Sequence, residues 1–388
     1  MNSILYDLSI SFKYLPRLFS LKMSRTRLAV LVAVIVTLIY VGYLVAPMFM
    51  CELGETEIPS ELKPLYDMYS ECLSEKLVEW EPSEWRPMMF NGHHILASGI
   101  MVQYTDEEID RLFLDMLCEL NVDTVSLYIL KMNYDRYTKR YDRLIQMIRE
   151  QGKKLILHAY ALPRKNETID EFFDRLLEYK IFLVEKYRPE YFVVLMEPSE
   201  IGGIKMPVEK LREFTIRAIE EIKRVSPDTV PLFIVHKWEL NLLPHFIDID
   251  GLDIIGINLY GIRGIENVEQ ALEYLKEHGK RPWIFETWWI SQKKGGEHHI
   301  WFRDCYWQGI ASKWIRAITY LVQKHNLEGN ILNPFFTEQF VYCNGKTNTP
   351  FEQQFEGIIK ALKNGDRTLI FQEFKKLIED VKGYASQI

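Results

Sequence analysis

The chain has 388 residues, of which 48% are hydrophobic and 26% are charged, and its formal net charge at pH 7 is −7. Residues 1–51 hold five basic residues and one acidic residue, so the remainder carries 42 basic against 53 acidic residues, a net charge of −11. This acidic excess argues against nucleic acid or an anionic membrane surface as the binding partner of residues 52–388.

The N-terminal part contains one long apolar segment. Residues 28–50 read LAVLVAVIVTLIYVGYLVAPMFM, which exceeds the roughly 20 residues that a helix needs to cross a bilayer. The preceding residues 1–27 are basic and the following ones acidic, so we predict a single transmembrane helix with a cytoplasmic N-terminus and the rest of the chain outside. A cleaved signal peptide is the alternative, although no small-residue cleavage site follows the apolar run. Met23-Ser-Arg-Thr-Arg is typical of a natural start, which leaves the role of residues 1–22 open.

A regular alternation of short apolar runs and helical patterns follows a predicted juxtamembrane spacer at residues 51–90, which contains one short helix. Eight runs are continuous rather than alternating, as in strands buried on both faces. They are residues 95–100, 124–129, 154–160, 191–196, 232–235, 254–259, 283–285 and 330–332. Amphipathic helical patterns fill the gaps, of which the one after the fifth run is the shortest.

This alternation predicts one α/β domain, a (β/α)₈ barrel at residues 91–365, followed by one extra helix at residues 366–388. No Gly-rich phosphate loop follows any strand, which excludes a nucleotide-binding open sheet.

Polar and aromatic residues follow the predicted strands, where a barrel of this kind carries its chemistry. Two are glutamates directly after buried runs, Glu197 after the fourth strand and Glu286 after the seventh. A charged carboxylate is energetically unfavourable at a position shielded from water. A pair of such carboxylates is the arrangement that cleavage of a glycosidic bond needs. The predicted substrate-binding residues at the same strand ends are His158, Tyr160, His236, Asn258, Tyr260, Trp288 and Trp289. The two tryptophans are predicted to stack on sugar rings.

Three of these stretches give the chain a family resemblance over about residues 92–345. Glu197-Pro198, Asp253-Ile-Ile-Gly-Ile-Asn-Leu-Tyr260 and Phe285-Glu286-Thr287-Trp288 resemble retaining glycoside hydrolases of the large (β/α)₈ clan, which includes cellulases, mannanases and galactanases. The resemblance implies that Glu197 is the acid/base, that Glu286 is the nucleophile, and that Tyr260 hydrogen-bonds the nucleophile. It implies an oligosaccharide or polysaccharide substrate with β-linkages, no metal and no organic cofactor. The carboxyl groups are then expected about 5–5.5 Å apart.

The chain departs from the clan's pattern at several positions. The clan usually has Asn before the acid/base, where this chain has Met196, and no early-strand Arg or eighth-strand Trp is evident. An inactive barrel that binds carbohydrate at the cell surface is therefore the first alternative hypothesis.

Other readings of the same residues remain open. Glu197 is compatible with the first turn of a helix as well as with the role of a catalytic acid. Glu200 is a second candidate for the acid. His158 and His236 would be ligands if the barrel were a metal-dependent hydrolase. Cys305 and Cys343 are candidates for a disulfide in an exported domain.

Overall fold

The computed structural model describes residues 58–99, 101–202, 204–289, 304–326, 331–345 and 351–385. The predicted basic segment at residues 1–27 and the predicted transmembrane helix at residues 28–50 lie outside these ranges. None of the helices within them combines the length and the apolar character that crossing a membrane requires.

Eight parallel strands form a closed barrel, as the alternating pattern predicts. The first strand pairs with both the second and the eighth, which closes the sheet on itself. The strands are β1 (Met89–His93), β2 (Thr124–Leu130), β3 (Lys154–Tyr160), β4 (Tyr191–Met196), β5 (Val230–His236), β6 (Ile254–Tyr260), β7 (Arg281–Trp288) and β8 (Ile331–Pro334).

The prediction for the first strand is wrong. Residues 95–100 were expected to form it, but Ile95–Ala97 is a turn of 3₁₀ helix and β1 lies at Met89–His93 instead. The β1 side chain Asn91 is fully buried and donates hydrogen bonds to Ser126 Oγ and Asn333 Oδ1. Because polar side chains paired with one another fill this part of the barrel, the strand carries no continuous apolar signal.

The helices that surround the barrel follow the predicted periodicity. They are α1 (Lys63–Trp80), α2 (Glu107–Glu119), α3 (Lys131–Glu150), α4 (Ile169–Tyr187), α5 (Val208–Val225), α6 (Ile265–Glu277), α7 (Gln308–Lys324), α8 (Phe351–Asn364) and α9 (Leu369–Ala385). A 3₁₀ helix, Leu240–His245, takes the position after β5. A two-stranded hairpin of Glu200–Ile201 and Ile204–Lys205 follows β4.

The region predicted as a spacer contributes to the packed unit from Lys63 onward. Trp80 at the end of α1 is 1% exposed, and Tyr69 packs edge-on against Trp289 with ring centroids 4.6 Å apart. At the other end of the chain, Phe374 of α9 lies edge-on to Phe90 of β1 at 5.7 Å. Helix α1 and the predicted C-terminal helix α9 therefore both cover apolar surface of the barrel.

Cys305 and Cys343 form a disulfide bond, as one of the sequence readings proposed. The bond ties the segment before α7 to the segment after β8. A bridge of this kind is typical of proteins that fold in an oxidising compartment.

Candidate active site

Glu286 lies near the end of β7 and is 3% exposed. Its carboxylate accepts hydrogen bonds from three side chains: Tyr128 donates to Oε1 at 2.6 Å, Asn258 Nδ2 donates to Oε2 at 3.0 Å, and Tyr260 also donates to Oε2. A buried carboxylate with three donors is oriented on both oxygens, and hydrogen bonds of this kind favour its charged form. The Tyr260 contact is the one that the family resemblance implies.

Glu197 directly follows β4 and is partly buried. Its backbone adopts the left-handed region with φ 48°, which is uncommon and costly for a residue with a side chain. The backbone N–H of Glu197 donates to the carbonyl of Ile234 at 2.9 Å, which holds the residue against β5. The interpretation of Glu197 as a helix start is therefore wrong, because the hairpin follows it and α5 begins only at Val208.

One amide group joins the two glutamates. Asn258 Nδ2 lies 3.0 Å from Glu197 Oε1 and 3.0 Å from Glu286 Oε2. The Oδ1 atom of Asn258 accepts from the backbone N–H of Glu286 at 2.9 Å, which fixes the orientation of the amide. Since each oxygen is 3.0 Å from the same nitrogen, the two oxygens are at most twice that distance, 6.0 Å, apart. This bound fits the retaining arrangement of roughly 5–5.5 Å.

Burial raises the pKa of both carboxyl groups. Burial and the nearby Glu197 carboxylate raise the pKa of Glu286 to about 8, although Tyr128 and Tyr260 oppose the shift. Burial also raises the pKa of Glu197, an effect that Asn258 opposes and Glu239 reinforces. In a coupled pair of this kind the proton belongs to the pair. Three donors serve Glu286 and one serves Glu197, so the proton is better placed on Glu197.

Two histidines pack against Tyr128. The ring centroid of His93 is 4.3 Å from that of Tyr128, and the ring of His158 meets Tyr128 edge-on at 5.1 Å. Burial is the main cause that lowers the pKa of both rings, to about 3 for His93 and well below the usual range for His158. Both imidazoles are therefore neutral at physiological pH. Within the described ranges the Nδ1 atom of His158 is buried without a hydrogen-bond partner.

Four of the remaining predicted binding residues divide into two groups. Tyr160 lies beside His158 with ring centroids 5.4 Å apart, and the ring of His236 lies 6.1 Å from that of Tyr260. These residues share the rim with the glutamates. Asn258 and Tyr260, in contrast, are engaged with the carboxylates themselves.

Trp288 and Trp289 do not form the predicted sugar platform. Trp288 is 0% exposed and lies near Phe336 and Phe340, whereas Trp289 is 1% exposed and packs against Trp314 of α7. Near this point the register between β6 and β7 shifts, which changes the direction in which the following side chains point. Both tryptophans are core residues.

A cavity of about 620 Å³ opens beside Glu197 on this rim. This volume is within the usual range for pockets that bind small molecules. Its polar lining includes His93, Ser98, Tyr128, His158, Tyr160 and Glu197, and much of the rest is aliphatic.

Two residues that shape the site were not among the predicted site residues. Tyr128 lies near the end of β2, and its contact with Glu286 requires β2 and β7 to face each other across the barrel. Glu239 accepts from the backbone N–H groups of Ser199 and His236, both at 2.8 Å, and so joins the loops after β4 and β5. No sequence pattern marked either contact.

The third hypothesis was that the strand ends bind a metal ion in a metal-dependent hydrolase. Within the part of the chain that the structure describes, no three His, Cys, Asp or Glu side chains converge as metal ligands. His158 lies against Tyr128 and Tyr160 there.

Comparisons with known proteins give structural similarities only. No protein-family model matches the chain, and no curated protein matches it. A Bacteroides uniformis β-glucuronidase 2 matches with 12% identity and a TM-score of 0.46 over 65% of this chain and 30% of that chain. A xylanase from Paenibacillus barcinonensis matches with 13% identity and a TM-score of 0.49 over 82% of this chain and 99% of that chain. The GH53 catalytic domain of Ignisphaera aggregans matches with 15% identity and a TM-score of 0.47, over 68% and 88% of the two chains.

The chain spans 30% of the length of the Bacteroides uniformis β-glucuronidases. These neighbours are glycosidases by name. The functional assignment rests on the geometry around Glu197, Asn258 and Glu286.

Proposed function

We propose that this chain is a retaining glycoside hydrolase that cleaves β-linked glycosidic bonds. The observation that carries the proposal is the single Asn258 amide bonded to both Glu197 and Glu286, which holds two carboxyl groups at a separation suited to that chemistry. The raised pKa of the pair supports it, because the reaction needs one protonated and one ionised carboxyl group.

Glu286 acts as the nucleophile. Its ionised carboxylate attacks the anomeric carbon and forms a covalent glycosyl-enzyme intermediate. Tyr128 and Tyr260 each hold one of its two oxygens, so the attacking group is oriented before the substrate arrives.

Glu197 acts first as the acid and then as the base. It protonates the oxygen of the leaving group as the glycosidic bond breaks, and it then removes a proton from the water that hydrolyses the intermediate. Its side chain lines the cavity, where the leaving group and the water have access to it.

The sugar itself needs hydrogen-bond partners that Met196 cannot provide. Met196 occupies the position where the resembled clan has Asn, and the Asn258 amide is already committed to the carboxylates. His158 and Tyr160 line the cavity, so we assign them to the sugar hydroxyls, with His236 beside Tyr260.

We also propose that the barrel is held outside the cell by a single membrane-spanning helix at residues 28–50. The support for this is the length of that apolar segment, the basic residues before it, and the Cys305–Cys343 disulfide.

Assay of the full-length chain on a panel of aryl β-glycosides and oligosaccharides tests the enzymatic proposal. We expect hydrolysis of at least one member, with the β-anomer as the first product seen by proton NMR. Glu286→Gln should abolish turnover while sugar binding persists, and Glu277→Gln at the exposed end of α6 is the matched control. First appearance of the α-anomer would contradict retention.

A carbohydrate-binding barrel without activity is the second candidate, and Met196 is the observation that favours it. Sugar binding without turnover on any substrate, unchanged by Glu286→Gln and Glu197→Ala, would establish that alternative.

A further inference from the structure

Strands β3 and β4 separate at the end that carries the site. Their paired register runs from Ile156 with Tyr191 to His158 with Val193, although β3 continues to Tyr160 and β4 to Met196. Beyond Val193, β4 shifts its register and stays paired with β5. A gap therefore opens between the two strand ends beside Glu197.

A buried lysine from α4 spans the base of this gap. Lys180 is 1% exposed, and its Nζ atom donates to the carbonyl of Ala159 on β3 and, at 3.2 Å, to that of Val193 on β4. These are carbonyl groups at the point where the ladder between the strands stops. Lys180 thus satisfies backbone acceptors that the separation of the strands would otherwise leave unpaired.

The cavity extends from the barrel mouth into this gap. It is lined by residues at the barrel mouth, such as His158 and Tyr160, and also by residues of the layer between strands and helices. The side chains around the gap are mainly aliphatic: Ala161, Leu162, Leu176, Leu195, Met196 and Ile201. Leu162 is 55% exposed at the surface, whereas Leu176 is 3% exposed on α4.

We propose that this apolar gap receives the leaving group of the substrate, and that this leaving group is an alkyl or lipid-like chain. The inference rests on the proposed function, because it takes Glu197 as the group that protonates the leaving oxygen. Glu197 lines the cavity, so a leaving group attached to that oxygen extends along the aliphatic wall. The hydroxyl groups of a second sugar would lose their hydrogen bonds to water against such a wall, whereas an alkyl chain gains by leaving water.

Binding to the full-length Glu286→Gln variant tests the inference without any need for turnover. Methyl and octyl β-glycosides of glucose, galactose, mannose and xylose are titrated by calorimetry, with the octyl compounds below their micelle-forming concentration. We expect the octyl compound to bind at least about tenfold more tightly than the methyl compound for one or more sugars.

Two variants locate the alkyl chain. Leu162→Glu places a charge at the opening of the gap, and Ala161→Phe fills part of its volume; each should reduce the octyl preference to below about threefold. Leu369→Glu, at a 41% exposed leucine on α9, is the matched control and should leave the preference unchanged. Melting curves show whether each variant is folded. If Ala161→Phe does not fold, Leu162→Glu still provides the test, because Leu162 is exposed.

The outcomes separate this inference from the proposed function. Equal affinity for methyl and octyl compounds, or no detectable binding of any octyl compound, would overturn the inference even if the enzyme hydrolyses aryl glycosides. An octyl preference that Leu162→Glu does not change would also overturn it. The protein could also show an octyl preference that Leu162→Glu removes and yet hydrolyse no substrate. That result would support the apolar site and contradict the enzymatic proposal.

Discussion

The hydroxyl group of Tyr128 on β2 donates a hydrogen bond of 2.6 Å to Glu286 Oε1 on β7. Tyr260 donates to the other oxygen of the same carboxylate from the neighbouring strand β6. Two phenols from different sides of the barrel thus fix the plane of one buried carboxyl group. The position of the proposed nucleophile therefore depends on the closure of the whole barrel.

Removal of the Tyr128 hydroxyl should impair catalysis more than folding. We expect Tyr128→Phe to lower kcat/KM by about 10- to 100-fold, because a hydrogen bond to a charged group is lost while the ring is kept. The control is Tyr141→Phe, since the buried Tyr141 hydroxyl has no hydrogen-bond partner among the described residues. Steady-state kinetics and melting temperatures of both variants provide the measurement. Full activity in Tyr128→Phe would remove its hydroxyl from the mechanism.

Glu197 can be tested by chemical rescue. In Glu197→Ala we expect the glycosyl-enzyme to accumulate on substrates with good leaving groups, because no base activates the attacking water. Added azide needs no base and should restore part of the turnover, with a β-glycosyl azide as the product. Mass spectrometry of the protein and chromatography of the product report the two effects. If azide leaves the rate unchanged while Glu286→Gln is inactive, another group acts as the acid/base.

The dependence of activity on pH follows from the raised pKa of the pair. Burial raises the pKa of both carboxyl groups, to about 8 for Glu286, so we expect an alkaline limb on which the pair loses its last proton and no acid remains. We expect kcat/KM to fall about tenfold per pH unit on that limb. Glu197→Gln, assayed on a dinitrophenyl glycoside that needs no acid, should lose the alkaline limb. A wild-type profile that stays flat to pH 10 would be inconsistent with this assignment.

The Cys305–Cys343 bond closes a loop with a sequence separation of 38 residues. Replacement of both cysteines by alanine should lower the free energy of unfolding by roughly 2–4 kcal/mol, as is typical for such crosslinks. The matched control replaces the free cysteines Cys72 and Cys118 by alanine. Urea unfolding of the three proteins measures the difference. Equal midpoints for all three would show that the bond does not stabilise the fold.

The proposed orientation in the membrane is tested by protease treatment of intact cells. Because basic residues precede the apolar segment at residues 28–50, the barrel should be outside and should be released or degraded. An antibody against residues 366–388 follows the loss of the intact chain, and a cytoplasmic protein serves as the control for cell integrity. Protection in intact cells with loss after lysis would place the barrel inside.

Much of the fold and part of the site follow from local sequence patterns. Strands β3 and β4 have the bounds that their continuous apolar runs predict, because a strand buried on both faces leaves an uninterrupted signal. Glu197 and Glu286 were predicted together for a related reason. A carboxylate directly after such a run must lie at the carboxyl end of a parallel strand, where all eight strand ends meet.

Only the tertiary structure decided which side chains those glutamates contact and which aromatic residues face the cavity. Trp288 and Trp289 follow a strand end in sequence, but a register shift in the barrel and the packing of α1 place them in the core. Tyr128 meets Glu286 across 158 residues of chain, and Lys180 spans a gap that exists only because β4 leaves β3 to follow β5. Local periodicity indicates which segments form buried strands and which form helices. Contacts between distant strands depend on register and barrel closure, which no single segment encodes.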